Sequence, residues 1–239
     1  MSSTLGCLGL AMDDVDVLDA FIGRVLPDAS VVAEAGDLQA RRWVDPSGAS
    51  ITMTVRQQGE DGGVLVDLVP SYAAPAGAQP GVRVGVLVGH GQTLAADLVD
   101  LAGHTLTRIA CDLAQSIVAE VSEPRPAHLT ALGVEVSVHP DAAAHLASGD
   151  TAAAIGEVLA YGLLGEPDAA SPTAHVSGTV TAVSSHETEL GQGFHAVRLD
   201  TAVGELTLCL ATADHPTPPE LGNVVAGVCY LVLDVPDLW

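Results

Sequence analysis

The chain has 239 residues, 48% hydrophobic and only 3% aromatic, and its thirty Asp and Glu face eight Arg and no Lys, a formal charge of −22. That length allows one large domain or two small ones, with a core that must be built from Val, Leu and Ala. The charge excludes a cationic surface, and with it binding to nucleic acid or anionic lipid, because such binding rests on Lys and Arg displacing counterions.

The acids are spread along the whole chain. Residues 1–72 carry eleven acids and four Arg (−7), residues 73–173 eleven and three (−8), and residues 174–239 eight and one (−7). Lys, Asn, Phe and Ile are scarce while Ala, Gly, Val, Asp and Pro abound, as codon usage in a GC-rich genome dictates. Salt adaptation is the second reading of the same bias. The start, Met1-Ser-Ser-Thr, has no positively charged segment, and the apolar run at 224–233 is far short of the ~20 residues a membrane span needs. A soluble cytoplasmic protein is expected.

In chain order, residues 5–12 predict a strand. Residues 17–26 predict a helix, with apolar side chains at 17, 18, 21, 22 and 25 on one face, acids at its start and Pro27 at its end. Strands follow at 31–34, 38–44 and 51–56, the last after the turn Asp45-Pro46-Ser47-Gly48, giving the order β-α-β-β-β. A strand at 64–69 leads into a stiff Pro-rich loop at 70–81 and a strand at 82–88. Residues 94–101 and 105–112 predict a hairpin, with helix as the alternative. Glu123-Pro124-Arg125-Pro126 predicts a break, 132–138 a strand, and 142–147 a helix capped by Asp141. A second helix is expected at 151–164, capped by Asp150 and stopped by Gly165. Four strands at 175–183, 194–201, 205–211 and 224–233 predict a small antiparallel barrel or sandwich.

The fold class expected is therefore α+β: a mixed α/β domain with antiparallel strands at 1–164, a linker at 165–173, and a small antiparallel β-barrel at 174–239. Cys7, Cys111, Cys209 and Cys229 lie far apart in apolar contexts, without a Cys-x-x-Cys, and read as buried free thiols.

Two resemblances accompany this reading. Residues 5–56, with the Asp45-Pro46-Ser47-Gly48 hairpin, resemble one βαβββ module of the vicinal-oxygen-chelate (glyoxalase-like) proteins. That family places His, Gln or Glu on its strands as metal ligands; the strands here offer Cys7, Met12, Met53 and Arg56, so its metal-dependent activity does not carry over. Residues 174–235 resemble an OB-like small barrel of uncharacterised bacterial proteins. The resemblance rests on Val176-Ser177-Gly178-Thr179-Val180, Gly191-Gln192-Gly193-Phe194 and 218–227; it implies a shape and no activity.

Candidate sites are few. Arg41-Arg42-Trp43 is the one adjacent basic pair, beside a residue type that anchors binding hot spots, and reads as a small-anion or partner site, with Arg42 on the opposite strand face from Arg41 and Trp43. His139, Asp141 and His145 have metal-like spacing, although Asp141 is also the helix cap. Gly89-His90-Gly91-Gln92-Thr93 follows a strand as phosphate loops do, without the further residues of a nucleotide motif. His186, Glu187, Glu189 and His195 gather around one hairpin, where a carboxylate pair or a metal could act. No cofactor motif is recognised, so none is expected. The function expected is a non-catalytic interaction or assembly module with a protein partner or self-association; the alternative is a small-molecule enzyme using a His/carboxylate pocket.

Overall fold

The computed structural model describes residues 3–12, 14–58, 62–89, 93–115, 117, 121, 123–149, 154–163 and 171–239. A buried 3-10 turn (Gly6–Leu8) precedes helix α1 (Val15–Val25), whose Asp14 cap accepts from the Asp16 N–H, and a further 3-10 turn (Leu26–Asp28). Strands β1 (Ser30–Ala35), β2 (Leu38–Val44), β3 (Ala49–Gln58) and β4 (Gly62–Tyr72) form a four-stranded antiparallel meander. Then come β5 (Val82–Gly89), β6 (Leu94–Val99), β7 (Thr105–Leu113), β8 (Arg125–His139), helix α2 (Ala142–Ala147), β9 (Val158–Ala160), β10 (Thr173–Glu187), β11 (Gly193–Thr201), β12 (Gly204–Ala211) and β13 (Val224–Asp234). These nine strands make the second sheet.

That sheet contains the same four-strand pattern twice. β5-β6-β7 is an antiparallel meander followed by β8, and β10-β11-β12 is another followed by β13. Each fourth strand pairs antiparallel with the first strand of its own unit, β8 with β5 and β13 with β10. Each also pairs in parallel with the third strand of the other unit, β8 with β12 and β13 with β7. The two fourth strands meet along an antiparallel ladder from Val224↔His139 to Asp234↔His128. The two circuits of pairing thus share the β8–β13 ribbon at their centre.

The expected α+β class is overturned. Strands take 55% of the described residues and helices 13%. Residues 174–239 do not close a small antiparallel barrel among themselves, because β12 and β13 complete their pairing on β8, and β12 does so in parallel. Residues 5–12 are not a strand: Gly9 at φ 66° turns the chain back after the 3-10 turn, and Cys7, Leu8 and Leu10 plug the core. Their apolarity signals burial on all sides, which a short run cannot distinguish from a strand. The helix expected at 151–164 gives way, over its described part, to β9 and a 3-10 turn (Tyr161–Leu163). Of the break expected at 123–126, residues 123 and 124 are outside any strand, whereas Arg125 and Pro126 open β8, where Pro126 pairs with Arg83 of β5. Residues 165–170 of the expected linker lie outside the described residues, and β10 begins at Thr173.

Two cores result. One is filled by Val, Leu and Ala from β5 to β13, among them Leu98, Ile109, Leu129, Leu199, Leu208 and Leu231. The second lies where α1 and the first sheet cover the outer side of β11, β12 and β13, joining Phe21, Ile51, Met53, Phe194, Cys209 and Val232. Phe194 is fully buried there. All four cysteines are buried and unbridged.

Candidate ligand-binding site

The register of β8 on β13 sets Asp234 opposite His128 at the end of the central ribbon. Asp234 is buried and accepts through Oδ1 from Gln115 Nε2 and from Trp239 Nε1, each at 2.8 Å. Gln115 Nε2 also donates to the Val235 carbonyl at 2.9 Å. From the first sheet, Arg42 arrives with its NH2 nitrogen 3.5 Å from Asp234 Oδ2 and its guanidinium carbon 4.2 Å from the Trp239 ring centroid.

Arg42 is held out of solvent by this packing. Desolvation lowers its pKa, and Asp234 offsets part of that effect. Its Nε and NH2 are buried and have no hydrogen-bond acceptor, the Asp234 contact being an ion pair at longer range. Unpaired N–H groups of a buried guanidinium are costly, by about 1–3 kcal/mol each for a polar group left unsatisfied. Neither nitrogen touches solvent, so an acceptor reaches them only where the adjoining cavity wall moves aside.

Arg42, His128, Asp234 and Trp239 line a cavity of about 390 Å³, closed on one side by the segment 73–80. A second cavity of about 260 Å³ opens on the other side of His128, between Tyr72, Leu129, Leu206, Ser184, Arg198 and Glu205. Ala74, Pro75, Ala78 and His128 wall both. The segment between them is fixed at its ends: the Ala73 N–H donates to the Gly48 carbonyl, and the Glu205 N–H to the Gly81 carbonyl. At the second anchor a side chain on Gly81 or Gly204 would overlap backbone of the other strand, so the two can meet only as glycines. Burial pushes the His128 pKa down, Asp234 opposes this and Arg198 adds to it, so its imidazole favours the neutral form.

Strand alternation separates the residues of the Arg41-Arg42-Trp43 triplet. Arg42 enters the cavity, while Trp43 packs edge-on against Phe21 of α1 at 5.3 Å. Arg41 donates to Gln39 Oε1 at 2.7 Å and to the Leu26 carbonyl at 3.4 Å. His139 and His145 meet as rings 4.9 Å apart, with His139 Nε2 and His145 Nδ1 buried and unpartnered. Asp141 is taken up as the α2 cap, accepting from the Ala144 N–H at 2.8 Å. Among the described residues, no three His, Cys, Asp or Glu come together to hold a metal. Residues 90–92 of the glycine loop lie outside the described residues.

The hairpin cluster divides between two strand faces. His186 Nε2 lies 2.7 Å from Ser184 Oγ, and its ring stacks on Phe194. His195 is buried; its Nε2 donates to the His215 carbonyl at 3.0 Å, and its Nδ1 lies 2.9 Å from Ser185 Oγ. Glu187 is exposed, and Glu189 pairs with Arg24 at 3.8 Å, away from both imidazoles. The residues around Arg42 that sequence reasoning missed are Gln115 behind the cavity and His128, Asp234 and Trp239 in its wall; only Asp234 and Trp239 are near each other in sequence, and no local motif announces them.

No helix among the described residues is long and apolar enough to cross a membrane. No family model, curated protein or solved structure matches the chain.

Proposed function

We propose that this chain is a non-catalytic binding protein that holds the carboxylate of a small organic molecule against Arg42. The observation that carries the reading is the buried Arg42 guanidinium, with Nε and NH2 lacking acceptors at a cavity wall. A carboxylate matches the fork of N–H groups, and charge-assisted bonds of this kind are the strong ones. Gln115 and Trp239 hydrogen-bond Asp234 through Oδ1, and Oδ2 meets Arg42 only as an ion pair at 3.5 Å, so the guanidinium keeps donors to spare. The acid excess opposes polyanions at long range but is screened beyond about 10 Å in ordinary salt, so a single small anion can reach a desolvated Arg.

The test is thermal stability of the purified protein in a series of carboxylates, beginning with acetate and glutarate, against chloride at equal ionic strength. Binding to the native state raises the midpoint by mass action. A rise for the wild type that vanishes in Arg42→Ala supports the reading. No rise with any carboxylate, or an equal rise in both proteins, overturns it.

A second reading, protein interaction, is favoured by the first sheet. β1 pairs only with β2 among the described strands, and its outer edge carries exposed Val31. An open edge accepts a further strand. The run at 224–233 gives no such surface, because it is β13, largely buried at the centre of the second sheet. Light scattering over a range of concentrations and salt tests this reading: a strictly monomeric protein that retains no partner in a pull-down removes it.

A further inference from the structure

We infer that the two cavities either side of His128 form one cleft beneath the segment 74–80, and that its ligand is an extended dianion, such as an aliphatic dicarboxylate. The inference rests on the Arg42 reading and adds a second end to the ligand. The chain has eight Arg and no Lys, and two of the eight stand in cavities that share a wall. Arg24, Arg56, Arg108 and Arg125 are each paired with an acid elsewhere on the surface. Arg42 shares the cleft with Asp234 and Arg198 shares it with Glu205, so this lining is close to neutral in a molecule that is otherwise strongly acidic.

Arg198 NH1 lies 3.2 Å from Glu205 Oε1, and the side chain is 44% exposed, so its fork is accessible to a ligand. Ala74, Pro75, Ala78, Leu129 and Leu206 give the cleft an apolar wall that suits a methylene chain, beside the polar Ser184, Thr207 and Glu205. The segment over the passage is built to move as a unit. Its ends are pinned by the Ala73–Gly48 and Glu205–Gly81 bonds, and within 74–80 the backbone bond is Ala78 N–H to Pro75 C=O, internal to the segment. Lifting it breaks no hydrogen bond to the body of the protein, and Pro75 and Pro80 limit the shapes it can take.

Calorimetric titration with hexanoate and adipate, which differ only in the second carboxylate, tests the inference on wild type, Arg42→Ala and Arg198→Ala. Adipate should bind about fivefold tighter than hexanoate, the scale of one partly exposed ion pair. Arg198→Ala should bring adipate to the hexanoate level and leave hexanoate unchanged, while Arg42→Ala abolishes both. Equal affinities, or an Arg198→Ala protein that still prefers adipate, overturn the spanning ligand and leave the Arg42 site standing. Binding of neither acid to folded wild type overturns both.

Discussion

Arg42 and Trp239 meet over one carboxylate: the indole ring centroid lies 4.2 Å from the guanidinium carbon, Trp239 Nε1 donates to Asp234 Oδ1 at 2.8 Å, and Arg42 NH2 stands 3.5 Å from Asp234 Oδ2 as an ion pair. The stack and the ion pair hold Nε and NH2 away from water, behind the wall of the cavity that Arg42 lines. Trp239→Phe keeps a ring under Arg42 and removes the donor to Asp234; Trp239→Ala removes both. Loss of the hydrogen bond should cost about 1 kcal/mol, and loss of the ring about 1 kcal/mol more. Urea unfolding of the two variants against wild type measures the difference.

Asp112 should weaken the fold at neutral pH. It is buried beneath Tyr230, whose hydroxyl donates to it, with Thr93 Oγ1 a second donor at 3.2 Å. Desolvation raises its pKa, and the hydrogen bonds from Tyr230 and Thr93 recover only part of the shift. A carboxyl with a raised folded pKa keeps its proton when the unfolded chain has released its own. Stability is therefore fully present below the ordinary Asp range and falls as pH rises through the raised value. Asp112→Asn removes the charge and keeps an acceptor for Tyr230. Its midpoint in urea should exceed that of wild type at pH 7, with the advantage shrinking as the pH is lowered toward about 4.

The histidines carry the opposite sign. Burial lowers the pKa of His128, His186 and His215. Below about pH 6.5 the unfolded chain takes up protons that these folded imidazoles resist, so stability falls as the pH drops through that region. Imidazole resonances followed by NMR should titrate below the free value for all three. His128→Gln, which cannot be protonated, should flatten part of the acid loss seen in unfolding midpoints.

Thiol chemistry reports on both cores at once. Burial pushes the Cys7 thiol up to about 12, and raises Cys111, Cys209 and Cys229 as well. A thiol reagent acts on the thiolate. Native protein at pH 8 should leave all four cysteines unlabelled over hours, and all four should react once guanidinium unfolds the chain. Fast labelling of any one in native protein would show that its core opens locally.

Gly9 should be intolerant of a side chain. It sits at φ 66°, and a Cβ there would lie 2.6 Å from the Gln192 carbonyl oxygen. The loop that blocks it also grips the N-terminal segment: Gln192 Oε1 accepts from the Ala11 N–H at 2.8 Å, Gln192 Nε2 donates to the Ala11 carbonyl at 3.0 Å, and Thr188 Oγ1 donates to the Gly9 carbonyl at 2.7 Å. Gly9→Ala should cost about 1–3 kcal/mol, from backbone strain and displacement of this loop. Gly36→Ala is the comparison: it shares the positive φ at 63° but has open space around it, and should lose less.

What the chain made legible was local. Alternation found β2, the β6–β7 hairpin and the four strands from β10 to β13, and Asp141 was read as a cap because its side chain serves the next turn of backbone. The short apolar run at 5–12 misled, because complete burial erases the period that separates a strand from a coiled plug. Pro126 misled too, since β8 tolerates a proline where its ladder with β5 is only three residues long. Arg42 was picked out in a basic pair, but its partners Gln115, Asp234 and Trp239 belong to distant segments that only the sheet brings together. Pairing between strands over such separations leaves no trace in a window of neighbours.

The exchange of fourth strands between the two units governs how the chain can be made. While the ribosome has delivered only the first unit, β7 lacks its parallel neighbour and β8 stands with a bare side. The ladders that fill both gaps arrive last, with β12 and β13. Productive folding must wait until β13 has been made, so a nascent chain stalled before β13 should be a substrate for holding chaperones, whereas the folded double unit should unfold in one cooperative step.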